Sequence, residues 1–124
     1  RKMSQRPFGL PEAINELSGT TNVSTLTVLK AFTNLGSAYH TLLFCLQNTD
    51  NSNNVTLLVE TSEDGVYPDT NVKWTIACPA QKQASVEIGP GLLRRYWRVS
   101  AYSDSPGYAT VAVKWAVRGV HRST

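Results

Sequence analysis

Apolar and polar residues alternate with a period of two over several separate stretches of this chain. Val72, Trp74, Ile76 and Cys78 fall on one side of an extended backbone, and Lys73, Thr75 and Ala77 on the other. Val111, Val113, Trp115 and Val117 oppose Thr110, Ala112, Lys114, Ala116 and Arg118 in the same way, and Ala84, Val86 and Ile88 oppose Ser85 and Glu87. Burial of a strand on one side requires this period. Extended segments are predicted at about 23–32, 38–48, 54–62, 72–78, 82–89, 94–103 and 108–118. The intervals between them carry turn chemistry: Asn34-Leu35-Gly36-Ser37, the Asn-rich run 48–54, Ser62-Glu63-Asp64-Gly65, Cys78-Pro79, Gly89-Pro90-Gly91 and Ser103-Asp104-Ser105-Pro106-Gly107. Short strands at this spacing predict an all-β fold, a seven- or eight-stranded antiparallel β-sandwich or jelly roll. The run Leu42-Leu43-Phe44-Cys45-Leu46 is apolar on both faces, so a central strand is expected there, covered on its second side by other protein.

Residues 1–22 break this grammar. They hold Pro7, Gly9, Pro11 and Gly19, and Pro11-Glu12 could open a short helix through Leu17. Such a helix is too short to stand alone in water. The segment therefore reads as an extended N-terminal arm that orders against the domain or against a neighbour, with the β-sandwich domain spanning 23–124.

Length and composition narrow the class. One domain is expected from 124 residues, and 41% hydrophobic against 17% charged residues is a folding composition. No apolar run reaches the roughly 18 residues of a membrane-spanning helix. The chain opens Arg1-Lys2-Met3-Ser4 with no apolar segment behind those charges, so no secretory signal is expected in it. The formal net charge of +3 is unevenly spread. Arg1, Lys2 and Arg6 are unopposed in the first six residues, eight acids outweigh Lys30, Lys73 and Lys82 across 7–91, and Asp104 alone opposes six bases in 92–124. Basic ends around an acidic middle suit contact with copies of the same chain or with an acidic partner.

Little in the sequence promises catalysis. His40 and Cys45 lie on one expected strand, but five residues apart they face opposite sides, so they form no nucleophile–base pair. No nucleophile elbow, phosphate loop or zinc-binding His-Glu-x-x-His is present. Glu60, Glu63, Asp64 and Asp69 gather around a turn without the spacing of a calcium loop. No catalytic residue, metal site or cofactor is expected, and Cys45 and Cys78 read as free thiols, with a cross-sheet disulfide as the alternative. The triplets at Asn22 and Asn54 match the glycosylation pattern, which carries little weight without a secretory signal. Alternation places Trp74, Trp97 and Trp115 in the core. Arg98, Lys114 and Arg118 would share one side of a sheet if the last two strands paired as a hairpin, with Arg94 and Arg95 just before them. That is a candidate basic face for an acidic protein surface or a phosphate backbone.

Four stretches carry a family resemblance: Val59-Glu60-Thr61-Ser62-Glu63-Asp64-Gly65, Trp74, Gly89-Pro90-Gly91 and Arg95-Tyr96-Trp97-Arg98-Val99. Over roughly residues 55–118 this resembles the small β-sandwich virion proteins of tailed bacteriophages, of the capsid decoration or cement type. The resemblance implies a structural virion protein, assembled in the host cytoplasm, that binds other copies of itself and a capsid or other virion protein. Its contacts would come from Arg1, Lys2, Arg6, Phe8, Leu10, Ile14 and Leu17 in the arm, and from Arg94, Arg95, Arg98, Lys114 and Arg118 on the basic face. Carbohydrate-binding sandwiches share much of the same strand-and-turn grammar. The alternative is therefore a carbohydrate-binding module using Tyr67, Tyr102 and Tyr108, and after it a nucleic-acid-binding β-protein.

Overall fold

The computed structural model describes residues 12–34, 41–89, 92, 94–105 and 107–121. Eight strands form: β1 (Glu12–Val23), β2 (Thr27–Asn34), β3 (Thr41–Asn48), β4 (Val55–Ser62), β5 (Lys73–Cys78), β6 (Gln83–Ile88), β7 (Tyr96–Ser103) and β8 (Val111–His121). All pairings are antiparallel and build two four-stranded sheets, in the orders β1-β8-β3-β6 and β2-β7-β4-β5. Among the described residues there is no α-helix, and the fold is an all-β sandwich, as expected.

The seven strands read from alternation are present. The eighth comes from the segment expected as an arm. Where a short helix was expected from Pro11 to Leu17, the chain from Glu12 onward is extended and paired with β8, with register kept from Asn15↔Gly119 to Val23↔Val111. The reason is tertiary. An isolated helical turn gains little, whereas Val23 at the end of β1 is buried completely in the shared core. Residues 1–11, with Arg1, Lys2, Arg6, Phe8 and Leu10, lie outside the described residues.

Inward side chains from both sheets close one core. Phe44, Leu42, Leu46 and Ile88 meet Leu57, Val59, Val99 and Trp97 across the gap. The rings of Phe44 and Trp97 stand edge to face at 5.4 Å and 75°, joining the sheets by a favoured aromatic geometry. Trp97 and Trp115 are buried, and Trp74 packs half-buried against the cluster, in line with the expected core role of all three. The doubly apolar run at 42–46 lies in β3, an inner strand of its sheet, with Leu43 and Cys45 half-buried on the outer face.

One expectation about pairing fails. β7 and β8 are not a hairpin, because the chain crosses from one sheet to the other between them. At every connection except β4–β5 the chain changes sheets. This crossing decides where the basic residues lie.

Candidate functional site

The five expected cations separate onto opposite sides of the sandwich. Lys114 and Arg118 alternate with the buried Val113, Trp115 and Val117, so they project from the outer face of β8. Arg98 projects from the outer face of β7 in the other sheet, beside Arg94 and Arg95 at that strand's entrance. A single basic stripe joining all five is therefore not formed.

On the β7 side the arginines meet the acids that the sequence gathered around one turn. Arg98 Nε and Nη2 donate to Glu60 Oε1 at 2.9 and 2.6 Å, from the position directly across the β4–β7 register. The same guanidinium lies 4.4 Å from the centre of the Phe32 ring on β2, a cation–π contact. Arg94 Nε reaches Asp69 Oδ2 at 3.3 Å, and Arg95 Nε lies 3.9 Å from Glu63 Oε1. Acid and base thus neutralise each other on this flank. Of the three only Arg95–Glu63 is an exposed pair, which contributes about 0–1 kcal/mol; the other two are partly buried.

The remaining acids shape the β4–β5 loop. Asp64 Oδ1 accepts the N–H groups of Val66 and Tyr67 at 2.8 and 2.9 Å, and Asp69 Oδ1 accepts those of Asn71 and Val72 at 2.8 and 3.1 Å. Ser62 Oγ accepts the Gly65 N–H, and Gly65 adopts φ +78°, which suits glycine. The backbone N–H donors, Tyr67 first, hold the Asp64 carboxyl below its ordinary range. Those of Asn71 and Val72, then Arg94, do the same for Asp69. Among the described residues no set of three or more His, Cys, Asp or Glu side chains is arranged to hold a metal ion.

The sheet margins differ more than the faces do. β2 is irregular, its register slipping between Val28 and Lys30 and again between Lys30 and Thr33. β5 and β6 are six residues each, and β5 carries an exposed Lys73. Bulges, charges and shortness blunt an edge against pairing. β1 has none of these over residues 17–23. That span is Leu-Ser-Gly-Thr-Thr-Asn-Val, without charge or proline, in unbroken register, and it forms the margin of its sheet. Leu17, one of the expected arm contacts, is 38% exposed here, and Leu26 and Val28 just beyond are exposed too. Ile14 lies in the same strand. Sequence reading missed this edge because Gly19 interrupts the apolar alternation. The β-branched Thr20-Thr21 followed by Val23 was the signal available.

The three tyrosines of the carbohydrate alternative also separate. Tyr67 stands 75% exposed in the β4–β5 loop. Tyr102 and Tyr108 come together at the other end of the sandwich, lining a concavity of about 410 Å³ with Ser103, Asp104, Ser105 and Gly107. Neither cysteine is bridged. Cys78 is buried, which pushes its thiol pKa up, and Cys45 is half-buried on the outer face of β3.

No protein-family model and no curated protein sequence matches the chain. Among solved structures, it is similar to a protein of the Bacillus endospore appendages, described as a novel family of disulfide-linked pili. That match has 11% identity and a TM-score of 0.54 over 100% of both chains. It is also similar to the tobacco streak virus coat protein in two crystal structures, one of them of the dimer. Those matches have 11 and 12% identity, TM-scores of 0.40, and cover 89 and 95% of this chain and 89 and 92% of the other. At these identities the likeness speaks to the fold alone, and at a TM-score of 0.40 it carries no argument.

Proposed function

We propose that the chain is a structural subunit that works by repeated protein–protein binding, first of all to copies of itself. The observation that carries this reading is the β1 margin over residues 17–23, a regular and uncharged stretch of strand edge beside edges that are blunted. Unpaired N–H and C=O groups along such an edge are a template for another strand, and a soluble chain that leaves one open invites partners. Pairing there would be repeated by symmetry. It would close if the two edges are equivalent and run on as a filament if they are not.

Two further features support an assembly role. The strand orders β1-β8-β3-β6 and β2-β7-β4-β5 are those of an eight-stranded jelly roll, an architecture shared by viral capsid and lectin domains. A solved structure that the chain resembles over its full length is a protein of the Bacillus endospore appendages, described as pili. We place the domain at 12–121 and the arm at residues 1–11, whose Arg1, Lys2, Arg6, Phe8 and Leu10 would add contacts to a neighbour. Within this reading the finer assignment is a virion protein of the decoration type that the sequence resembles, acting on a capsid or other virion protein. A fibre subunit is the second reading, favoured by the pilus likeness.

The test is mass in solution by light scattering, for the full chain and for the double variant Ser18→Lys with Asn22→Lys. Both positions are exposed and lie opposite alanines, Ala116 and Ala112, on β8, so the fold should be unaffected. Like charges brought together across a β1 interface would oppose pairing. A discrete oligomer or filament that the double variant reduces to monomer is expected. A wild-type monomer, or an assembly indifferent to the two lysines, would overturn the proposal.

A further inference from the structure

We propose that the concavity between Tyr102 and Tyr108 is a binding site for a neutral saccharide. It does not use the β1 edge and stands or falls apart from the assembly reading.

The site is built rather than incidental. Tyr102 projects from the outer face of β7 directly across from Thr56 on β4. The Thr56 hydroxyl donates to Asp104 Oδ1 at 2.7 Å, and the Asp104 N–H donates to the Asn54 carbonyl at 2.9 Å. Ser105 Oγ donates to Asn53 Oδ1 at 2.6 Å. The loop after β7 is thereby tied to the loop before β4, and the carboxylate is fixed before any ligand arrives. Such pre-formation lowers the ordering cost of binding.

Tyr108 supplies the second observation. Its φ is +53°, next to Gly107 at +72°. For a bulky residue that left-handed conformation is unfavourable, and the neighbouring glycine shows what the backbone would ordinarily use there. The Tyr108 N–H holds the turn by donating to the Ser105 carbonyl at 2.9 Å, yet the residue is 50% exposed and is not part of the buried core. Left-handed non-glycine backbone clusters at functional sites, ligand clamps among them, and of the two such residues described, Gln81 and Tyr108, only Tyr108 lines this concavity.

The lining chemistry selects the ligand class. Two tyrosine rings offer flat apolar faces for the C–H face of a sugar ring, and their hydroxyls donate or accept at the rim. Asp104 and Ser105 supply acceptors and a hydroxyl for the sugar's own hydroxyls, the carboxylate giving the stronger bonds. Among the described residues no lysine or arginine lines the concavity, so a phosphate or nucleic-acid backbone would meet Asp104 without a compensating cation. A volume of about 410 Å³ lies within the range of small-molecule sites.

The test is titration of the full chain, followed by amide NMR, with maltotriose, cellotriose and chitotriose in turn, and with choline as a cationic probe. At least one trisaccharide should shift the amides of 102–105, 107 and 108, and Tyr102→Ala and Asp104→Asn should each weaken that binding roughly tenfold. Tyr108→Gly should weaken it as much while raising Tm, because glycine relieves the left-handed strain. Silence from all three sugars at tens of millimolar would overturn the proposal. So would a response to choline alone, binding indifferent to these variants, or a fall in Tm on Tyr108→Gly, which would make the ring structural.

Discussion

At the scale of single residues, the positions that matter most are those where a small change meets packed neighbours. Gly19 is the clearest. It lies opposite Trp115 in the β1–β8 register, and a Cβ built there would come within 2.9 Å of the indole Nε1 and 3.0 Å of Cζ2. The indole is buried and cannot swing away without opening the core. Gly19→Ala should therefore destabilise the domain by about 1–3 kcal/mol, although alanine is otherwise the better residue in an ordered strand. Chemical denaturation of the two proteins checks this; equal midpoints would mean that β1 does not press on Trp115. Asn48 illustrates the opposite case, a buried polar side chain with its groups satisfied. Its Nδ2 donates to the Asn53 and Cys78 carbonyls at 2.8 and 3.2 Å, and its Oδ1 accepts the Asp50 N–H at 2.9 Å. It fastens the end of β3 to the end of β5 and to the loop between β3 and β4.

At the scale of elements, the β4–β5 connection shows how acids can be structural without binding a metal. Asp64 and Asp69 each accept two backbone N–H groups, and Asp50 does likewise with Ser52 and Asn53 in the β3–β4 loop. All three carboxyls are held below their ordinary value of 3.8 by those N–H donors. As pH falls, the unfolded chain takes up protons first. The stability these groups contribute is complete above the ordinary value and is lost as pH drops through the lower folded values. Thermal unfolding should therefore show Tm declining below about pH 3.8. The pair Asp64→Asn with Asp69→Asn should shallow that decline, since asparagine keeps a turn-forming oxygen but does not titrate. An unchanged slope would mean that other carboxyls govern the acid limit. Elements were also where the sequence was most legible. Period-two alternation located β5, β6 and β8 from their own residues because each buries mainly one face. β1 escaped because glycine stands at its Trp115 contact, and because Pro11-Glu12 imitates a helix start whose continuation loses to pairing with β8. The basic stripe failed for another reason. Strand pairing is non-local, and nothing in residues 104–110 announces that the chain changes sheets there.

At the scale of the whole molecule, the pairing of β1 with β8 joins the two ends of the described chain into one sheet. An arm and a strand would respond differently to truncation, and the boundary between them can be placed by cutting at two points. Removing residues 1–11 takes away no described strand and leaves Val23 and the β1–β8 ladder in place. That chain should fold with Tm nearly unchanged, and any loss of assembly would then belong to the removed contacts. Removing residues 1–22 strips β1 from the sheet. β8 then becomes an eleven-residue edge with Val113, Trp115 and Val117 behind it, no longer covered by a neighbouring strand on that side. An exposed, long and partly apolar edge aggregates or captures strands from other chains. The longer truncation should thus be poorly soluble or misassembled rather than a clean monomer, and circular dichroism with light scattering on both proteins would tell. A soluble, well-folded chain beginning at residue 23 would show that β1 is a detachable element. In that case the strand could leave its own sheet to complete a neighbour's, and the β1 edge would act as the donor of a strand rather than as its acceptor.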